Sequence, residues 1–496
     1  MTESAARIVS GWPSRGQAAA LAVVAVCWGA FAIGGAHAWG YWPLACLSLA
    51  AGTIGLRSAA VDSGPDRALV AGLGLVALAI AIQLVPLPLA WLASLSPRAL
   101  PLLENVDFQY GAGLVRSHPL SIDPSSTVVA LGLYLSFAVF LLGLTRIFSV
   151  DHLRRTAEAV TIAGVLMALA GIVQKPLYAG RVLGVWQPEA GAIPFGPFVN
   201  RNHFAGWMLM ALPLPMALLC AGLQQGMRGL KPGLRYRILW LSSPEANRLI
   251  LIAAATVLMA MSLILTMSRS GISALAFSFV LTGWLVSRGF AGGSRRAAMI
   301  VTLGVVAATT VAWVGADAIV ERFSQTSWSE FGNRRGAWTD AVGVWSAFRF
   351  TGTGLNTYPV AARFYQRHDL DKFFGEAHND YLQLLAEGGL LVAVPAALCL
   401  LFFLRQVYLR GSADQPSTTS WWLRRGAVTG LVAVALQESV EFSLQMPGNA
   451  VLFALLCAVA LHRPQHHRPE LEPGPGPAPA RPRLRVVASN AFAGSR

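Results

Sequence analysis

The sequence predicts an all-α polytopic membrane protein with about twelve transmembrane helices and a long external loop before the last three spans. The first observation is composition, because 55% of the residues are hydrophobic and only 12% are charged, unlike an ordinary soluble domain. The second is the recurrence of apolar runs of about twenty residues, each long enough to cross a hydrocarbon core of about 30 Å. The third is the distribution of basic residues between successive loops.

The apolar runs divide the chain into a membrane domain and two polar ends. Residues 1–16 are expected to form a short cytoplasmic lead, and residues 463–496, which are rich in Pro, Gly, Arg and His, a disordered cytoplasmic tail. Residues 17–462 form the membrane domain, including an external loop at 317–380 with helical pieces. One such piece is expected from Asn333 to Phe348, with Trp338, Val342 and Trp345 on one side at helical spacing. The predicted spans lie near residues 17–36, 39–56, 68–92, 127–148, 156–177, 202–223, 248–267, 271–289, 297–316, 381–404, 425–443 and 448–462.

The loops fix the orientation of these spans. The formal net charge is +14, and the whole basic excess falls on one side when both termini are placed in the cytoplasm, as the positive-inside bias predicts. Arg154, Arg155, Arg228, Lys231 and Arg424 are examples from that side. The basic composition therefore reports topology, and we do not interpret it as nucleic-acid binding.

Neither the cysteines nor the acidic pairs predict a metal site or a cofactor. The chain has five cysteines; all fall in apolar spans and no CxxC is present, so they are interpreted as core residues. Asp369-Leu370-Asp371 imitates a metal-binding DxD motif but lies in a charged loop without a partner at metal spacing. No metal site and no cofactor are therefore expected.

Four polar clusters lie at the outer ends of predicted spans, where polar residues are costly and often functional. They are Asn200-Arg201-Asn202-His203, Arg269 in a tight turn, Arg334 with Arg335, and His378. Guanidinium groups bind phosphate oxygens in pairs, so these arginines suit a diphosphate. Alternatively, Arg201 snorkels to the membrane interface, and Arg334 and Arg335 are solvated helix residues.

His378 is the candidate base. It comes directly before Asn379 and Asp380, which are good helix N-cap residues, so the positive end of the helix dipole disfavours its charged form. A neutral imidazole can accept a proton from a hydroxyl. The alternative is a capping histidine on a solvated loop.

Two carboxylates accompany these clusters. Glu438 and Glu441 lie about one helical turn apart near the outer end of the eleventh span. Because carboxylates in a membrane usually pair with another group, we expect them to orient an external arginine more often than to do chemistry.

Taken together, these motifs resemble the O-antigen ligase and Wzy-type polymerase superfamily. The resemblance rests on Phe198-Val-Asn-Arg-Asn-His-Phe-Ala-Gly206, Thr266-Met-Ser-Arg-Ser-Gly271, Arg334 with Trp338, Thr351-Gly352-Thr353-Gly354, and His378-Asn379 with Tyr381-Leu382 and Glu387-Gly388. It covers residues 120–460. The neighbouring Arg335 departs from the pattern and leaves open which guanidinium corresponds to the family's loop arginine.

The resemblance implies a GT-C-like, metal-independent, inverting glycosyltransferase of the bacterial inner membrane. Such an enzyme takes a glycan from an undecaprenyl-diphosphate carrier and passes it to an acceptor hydroxyl on the periplasmic face. The family's essential histidine falls on His378, its turn arginine on Arg269 and its loop arginine on Arg334, with Arg201 as a further candidate for donor contact.

The acceptor stays open between a glycan, lipid A-core and a protein. Polymerisation of exopolysaccharide or O-antigen repeat units is favoured, because loops 93–126 and 178–201 add external surface. The alternatives are an O-antigen ligase, a protein O-oligosaccharyltransferase and, outside the enzymes, a polysaccharide transporter or flippase. Clustering of polar residues at the outer surface argues against transport, for which a site near the bilayer midplane is expected.

Overall fold

The computed structural model of the protein describes residues 14–58, 66–188, 191–226, 235, 239–240, 242–289, 293–324, 328–412 and 418–463. Most of the N-terminal lead and the tail from residue 464 lie outside these described residues. The helices are α1 Arg15–Phe31, α2 Ala38–Arg57, α3 Arg67–Ile82, α4 Leu89–Leu95, α5 Ala99–Val106, α6 Phe108–Gly111, α7 Pro124–Ile147, α8 Val150–Leu177, α9 Arg201–Ala211, α10 Pro213–Gly226, α11 Pro244–Leu265, α12 Arg269–Gly289, α13 Gly293–Val314, α14 Ala316–Ser324, α15 Trp328–Ala347, α16 Tyr358–Tyr365, α17 Asp380–Ser412, α18 Thr419–Gln437 and α19 Pro447–Ala460.

The fold is almost entirely helical, as predicted. Two short strands, β1 Leu87–Pro88 and β2 Ser117–His118, pair antiparallel, and 3₁₀ turns occupy Ile33–Gly35 and Ser443–Gln445. Several helices begin at a polar side chain that accepts hydrogen bonds from the first backbone N–H groups of the helix. Asp123, for example, accepts hydrogen bonds from the backbone of Ser125 and Ser126, with Pro124 at the first helical position.

Among the described residues, six helical segments are long and apolar enough to cross a membrane. They are Pro124–Ile147, Val150–Leu177, Arg201–Gly226, Pro244–Leu265, Arg269–Arg288 and Asp380–Ser412, and shorter apolar helices accompany them. Each predicted span overlaps a described helix. A polytopic helical membrane protein is therefore supported, whereas the count of twelve crossings and the side on which the long loop lies stay predictions.

The centre of the bundle is the continuous helical segment formed by α9 and α10. Every residue from His203 to Ala221 is buried, so this segment is enclosed on all faces by other helices, as an all-round apolar helix should be. Its first turn carries the Asn200–His203 cluster. The sequence thus places polar groups at the N-terminal end of the most buried helical segment.

Glycines allow α17 to pack tightly against the segment at residues 349–355. Gly389 breaks α17 with φ 56°, and Gly352 also has a positive φ of 65°. A Cβ on Gly352 would lie 2.0 Å from the Glu387 carbonyl oxygen. Since only glycine fits such a contact, the Thr351–Gly354 motif serves backbone packing, and it fixes the position at which α17 begins.

Several predicted boundaries are wrong in detail. The span predicted at 68–92 ends at Ile82, because Gln83 turns out of the helix and its Nε2 donates to the carbonyls of Thr351 and Glu387, each at 2.9 Å. The span predicted at 425–443 ends at Gln437, which places Glu438 and Glu441 in the turn that follows it.

The loop helix was expected from Asn333 to Phe348 and is longer at its start, running from Trp328 to Ala347. Its buried hydrophobic residues are Ala337, Ala341 and Val344, and Asp340 is also buried, whereas Val342, expected on the same side as Trp338, is 40% exposed. The small alanines let this face approach α17. The packed face is therefore centred on Ala337, Ala341 and Val344, each one residue before the predicted Trp338, Val342 and Trp345.

Candidate active site

His378 lies in the turn that leads into α17. Its φ is 49°, an uncommon left-handed conformation for a residue other than glycine. The Trp338 indole nitrogen donates to the His378 carbonyl at 3.2 Å, which ties the turn to α15. Backbone strain held by the surrounding structure is typical of functional sites.

The His378 ring is held by aromatic contacts. Its centroid lies 4.9 Å from that of Phe442 at 83°, and 6.0 Å from that of Phe374 at 81°. Nδ1 is buried with no hydrogen-bond partner among the described residues. Burial, and then the Arg334 guanidinium, lower the pKa of His378 to about 4. The imidazole is therefore neutral at pH 7, as a proton acceptor requires.

Arg334 is the loop arginine that faces this histidine. Its Nη2 pairs with Oε1 of Glu441, whose side chain is only 1% exposed, while Arg334 itself is 34% exposed. Neighbouring Arg335 is exposed, because successive helix residues point about 100° apart. The geometry thus distinguishes two arginines that the sequence left equivalent.

Glu441 connects three of the four predicted clusters. Besides Arg334, its Oε1 accepts from Nδ2 of Asn202 at 2.9 Å, and its carboxylate also interacts with the Ser270 side chain. Ser270 is the residue after Arg269, and Asn202 follows Arg201. One buried carboxylate therefore gathers segments that are far apart in the sequence, consistent with the expectation that it orients an arginine.

Phe442 brings a second histidine into the same group. The His203 ring lies 4.6 Å from Phe442 at 81°, on the same ring that contacts His378. His203 is 5% exposed, and its Nε2 is buried with no partner in the described part of the chain. The helix start is fixed by Asn200, whose side chain accepts from the Asn202 backbone at 2.9 Å.

The other two predicted arginines are near this group but are held by different contacts. Arg269 Nε donates to the Arg322 carbonyl at 3.2 Å, and Arg322 Nε donates to the Met267 carbonyl at 3.1 Å. Arg201 is half-buried and lies close enough to Lys175 for their charges to repel. The two hydrogen bonds of Arg269 and Arg322 run in opposite directions between the tight turn and α14, and they brace the turn.

The residues after His378 tie α17 to the end of α18. Asn379 Nδ2 donates to the Ser439 carbonyl at 2.8 Å, and its Oδ1 caps the helix by accepting from Leu382 N at 3.0 Å. The Asp380 backbone donates to the Glu438 carbonyl at 3.1 Å, and the two carboxyl groups are hydrogen-bonded. These predicted supporting residues are therefore brought together with His378.

Some contributors were missed by sequence reasoning. Phe442 and Arg322 carry no motif that singles them out, whereas Gln83 could have been found as a lone amide in an apolar run. Asp369 and Asp371 are exposed, and among the described residues no group of three His, Cys, Asp or Glu side chains is placed to hold a metal. The side chains around His378 offer a buried imidazole beside the Arg334 guanidinium.

A comparison with known families finds a match over part of the chain. Residues 254–397 match the family model Wzy_C, described as O-antigen ligase. The matched segment contains Arg269, Arg334 and His378, and it leaves out the Asn200–His203 cluster and Glu441. No curated protein matches the chain. The match confirms the resemblance to the O-antigen ligase and Wzy-type superfamily.

Proposed function

Because residues 254–397 match the O-antigen ligase family model and several helices are long and apolar enough to cross a membrane, we propose that the chain transfers a glycan from an undecaprenyl-diphosphate carrier to an acceptor hydroxyl. The observation that carries this proposal is the neutral His378 imidazole beside the Arg334–Glu441 pair. A base next to fixed positive charge suits a displacement in which a hydroxyl attacks and a diphosphate leaves.

The reaction is a single inverting displacement at the anomeric carbon. An imidazole nitrogen of His378 takes the acceptor proton while the acceptor oxygen forms the new glycosidic bond. The bond from the anomeric carbon to the diphosphate oxygen breaks, and the electron pair leaves with the diphosphate lipid. Arg334 and Arg269, with Arg201 in support, stabilise the charge that develops on that leaving group. Neither metal nor cofactor has a part in this scheme.

Donor binding strengthens the base. A pKa of about 4 makes the free imidazole a weak proton acceptor at pH 7, since general bases work best with a pKa near the operating pH. A bound diphosphate offsets the Arg334 charge that lowers this pKa and brings its own negative charge nearby. His378 therefore becomes more basic when the donor is in place.

The proposed setting is the bacterial inner membrane, with both termini in the cytoplasm and the site on the periplasmic face. Among the acceptor classes, polymerisation of exopolysaccharide or O-antigen repeat units is the first candidate. Transfer to lipid A-core or to a protein is the second candidate, and the family match favours both over transport.

The test is an assay of purified protein in liposomes with lipid-linked repeat units as the sole substrate. Products that lengthen without another acceptor support a polymerase, and a requirement for added lipid A-core or protein supports a ligase. His378→Ala should insert normally and form no product. Wild-type product levels from this variant would remove the base assignment.

A further inference from the structure

A cavity of about 540 Å³ lies between α7, the start of α17 and the start of α19. Its volume is within the range of roughly 300–1,000 Å³ usual for small-ligand sites. The cavity has two chemically different ends. The polar end is formed by six side chains from four segments: Asn356, Glu376, Asp380, Gln383, Glu387 and Gln445.

The other end is an apolar wall that follows one face of α7. Val129, Leu133 and Phe137 recur at every fourth position, so they form one stripe. With a rise of 1.5 Å per residue, this stripe runs about 12 Å along the helix axis. An occupant that fills both ends must therefore carry a polar head and an extended apolar portion.

The polar end suits hydroxyl groups and disfavours phosphate. Among its described lining residues there is no Lys, Arg or His, so a diphosphate would meet carboxyl groups without compensating charge. Amides and carboxyl groups are the side chains that hydrogen-bond sugar hydroxyls. Here Gln383 Nε2 bridges Glu376 Oε2 at 2.5 Å and Gln445 Oε1 at 3.0 Å, and Gln445 Nε2 donates to Asp380 at 2.7 Å. These hydrogen bonds hold the polar side chains in place before any ligand binds.

The cavity borders the turn that carries the candidate base, although the His378 side chain is not among its lining residues. Glu376 and Asp380 both line it, and they are two residues before and two residues after His378. Burial raises the pKa of Glu376 to about 8, so at pH 7 this carboxyl group can donate a proton to a sugar oxygen. The arginine side of the site, by contrast, belongs to Arg334 and Glu441, which do not line the cavity.

We propose that this cavity binds the acceptor, and that the acceptor is a neutral glycan joined to an apolar chain without a diphosphate. Because a lipid-linked repeat unit brings its own diphosphate, this assignment favours transfer to a separate acceptor over polymerisation. The sugar hydroxyls bond to Gln383, Gln445 and Glu376, and the apolar portion lies along Val129, Leu133 and Phe137. This inference rests on the proposed function, because it assigns the cavity to the partner that His378 deprotonates. It divides the site into a cationic donor side and an uncharged or acidic acceptor side.

The test uses a simple probe with the same two-part chemistry. Radiolabelled decyl β-maltoside, below its micellar concentration, is titrated onto the full-length protein in lipid nanodiscs, and binding to empty nanodiscs is subtracted. We expect saturable binding that unlabelled decyl maltoside displaces and decyl phosphate displaces at least tenfold less well.

Two variants locate that binding within the cavity. Leu133→Trp fills the apolar end and Gln445→Leu removes an amide from the polar end, so each should weaken binding at least tenfold. The control is Leu135→Trp, which adds the same ring on the same helix at a position that is 44% exposed and should bind as wild type. His378→Ala, which tests the proposed chemistry separately, should also keep binding.

Two outcomes would overturn the inference. Equal displacement by decyl phosphate would mean an apolar crevice without a glycan site, and unchanged binding in both Leu133→Trp and Gln445→Leu would place the ligand elsewhere. Loss of transfer in His378→Ala with retained maltoside binding supports both proposals, whereas full transfer in that variant contradicts the base assignment and leaves the cavity result intact.

Discussion

Arg334 and Glu441 form an ion pair across 107 positions of the sequence. Arg334 is the residue whose charge lowers the pKa of His378, and Glu441 is the buried carboxylate that joins three segments. Arg335, its neighbour on α15, is exposed. The two adjacent arginines carry the same charge but have different surroundings. Comparing a variant of each therefore tests the proposed donor contact directly.

Arg334→Ala should lower transfer about 10²–10³-fold, the usual loss when one group that stabilises transition-state charge is removed. Arg335→Ala should stay within about twofold of wild type, because its side chain faces solvent. Both are measured as initial rates with lipid-linked donor in liposomes. Equal losses in the two variants would mean that the loop contributes only overall positive charge.

Glu441→Gln tests whether the carboxylate positions Arg334. The amide oxygen can still accept from Asn202, but the charge that holds the guanidinium is gone, so the donor KM should rise and the rate should fall about tenfold. Arg334 is a third exposed and regains water, so the loss of stability should be small, about 1 kcal/mol.

A double-variant cycle identifies the partner. If the two side chains act together, Arg334→Gln in the Glu441→Gln background should cost much less than it does alone. Additive losses would show that Glu441 acts through another residue.

The pH dependence follows from the state of the imidazole. His378 accepts a proton only when neutral, and its pKa is lowered to about 4, so kcat/KM should be flat from pH 7 to about 5 and halve near pH 4. Arg334 lowers that pKa, so Arg334→Gln should move the midpoint upward while reducing the plateau. The value of kcat, which reports the donor-bound enzyme, should begin to fall at a higher pH than kcat/KM does when the solution is acidified. A midpoint near 6.5 in wild-type kcat/KM would contradict the buried, charge-flanked imidazole.

Gly352→Ala should destabilise the protein by more than about 2 kcal/mol. The added Cβ would meet the Glu387 carbonyl oxygen at 2.0 Å, and the positive φ adds about 1–2 kcal/mol. The control is Gly343→Ala on α15, where the structure shows open space around the new Cβ and helix propensity favours alanine by up to about 1 kcal/mol. Thermal unfolding in the same detergent compares them.

Hydropathy predicted the helical architecture because each predicted span is a local property of about twenty consecutive residues. It failed at span ends that tertiary contacts decide. The helix expected to cover residues 68–92 ends at Ile82, because the Gln83 side chain donates to two carbonyls more than 260 positions away. No local pattern contains that partner.

The sequence indicated which residues could belong to the candidate site better than it indicated how they are arranged. Polar residues at apolar helix ends singled out His378, Arg334 and Glu441 as candidates, since such positions are costly without a role, and the fold brings these three residues together. The choice between Arg334 and Arg335 was not predictable, because it depends on where Glu441 lies after folding. Phe442 was missed because a phenylalanine in a membrane protein is ordinary, and its contact with two histidines is visible only in three dimensions.

The central claim is that His378 is the base that activates the acceptor, and rescue of His378→Gly by imidazole tests it most directly. Glycine accepts the φ of 49° found at this position, so the backbone should keep its course while the ring leaves a space. The account predicts that transfer falls at least about 100-fold and that added imidazole restores part of it, with a pH dependence that follows the free imidazole. Full activity without imidazole, or a loss that neither imidazole nor its methyl derivatives can restore in a folded, inserted protein, would contradict it.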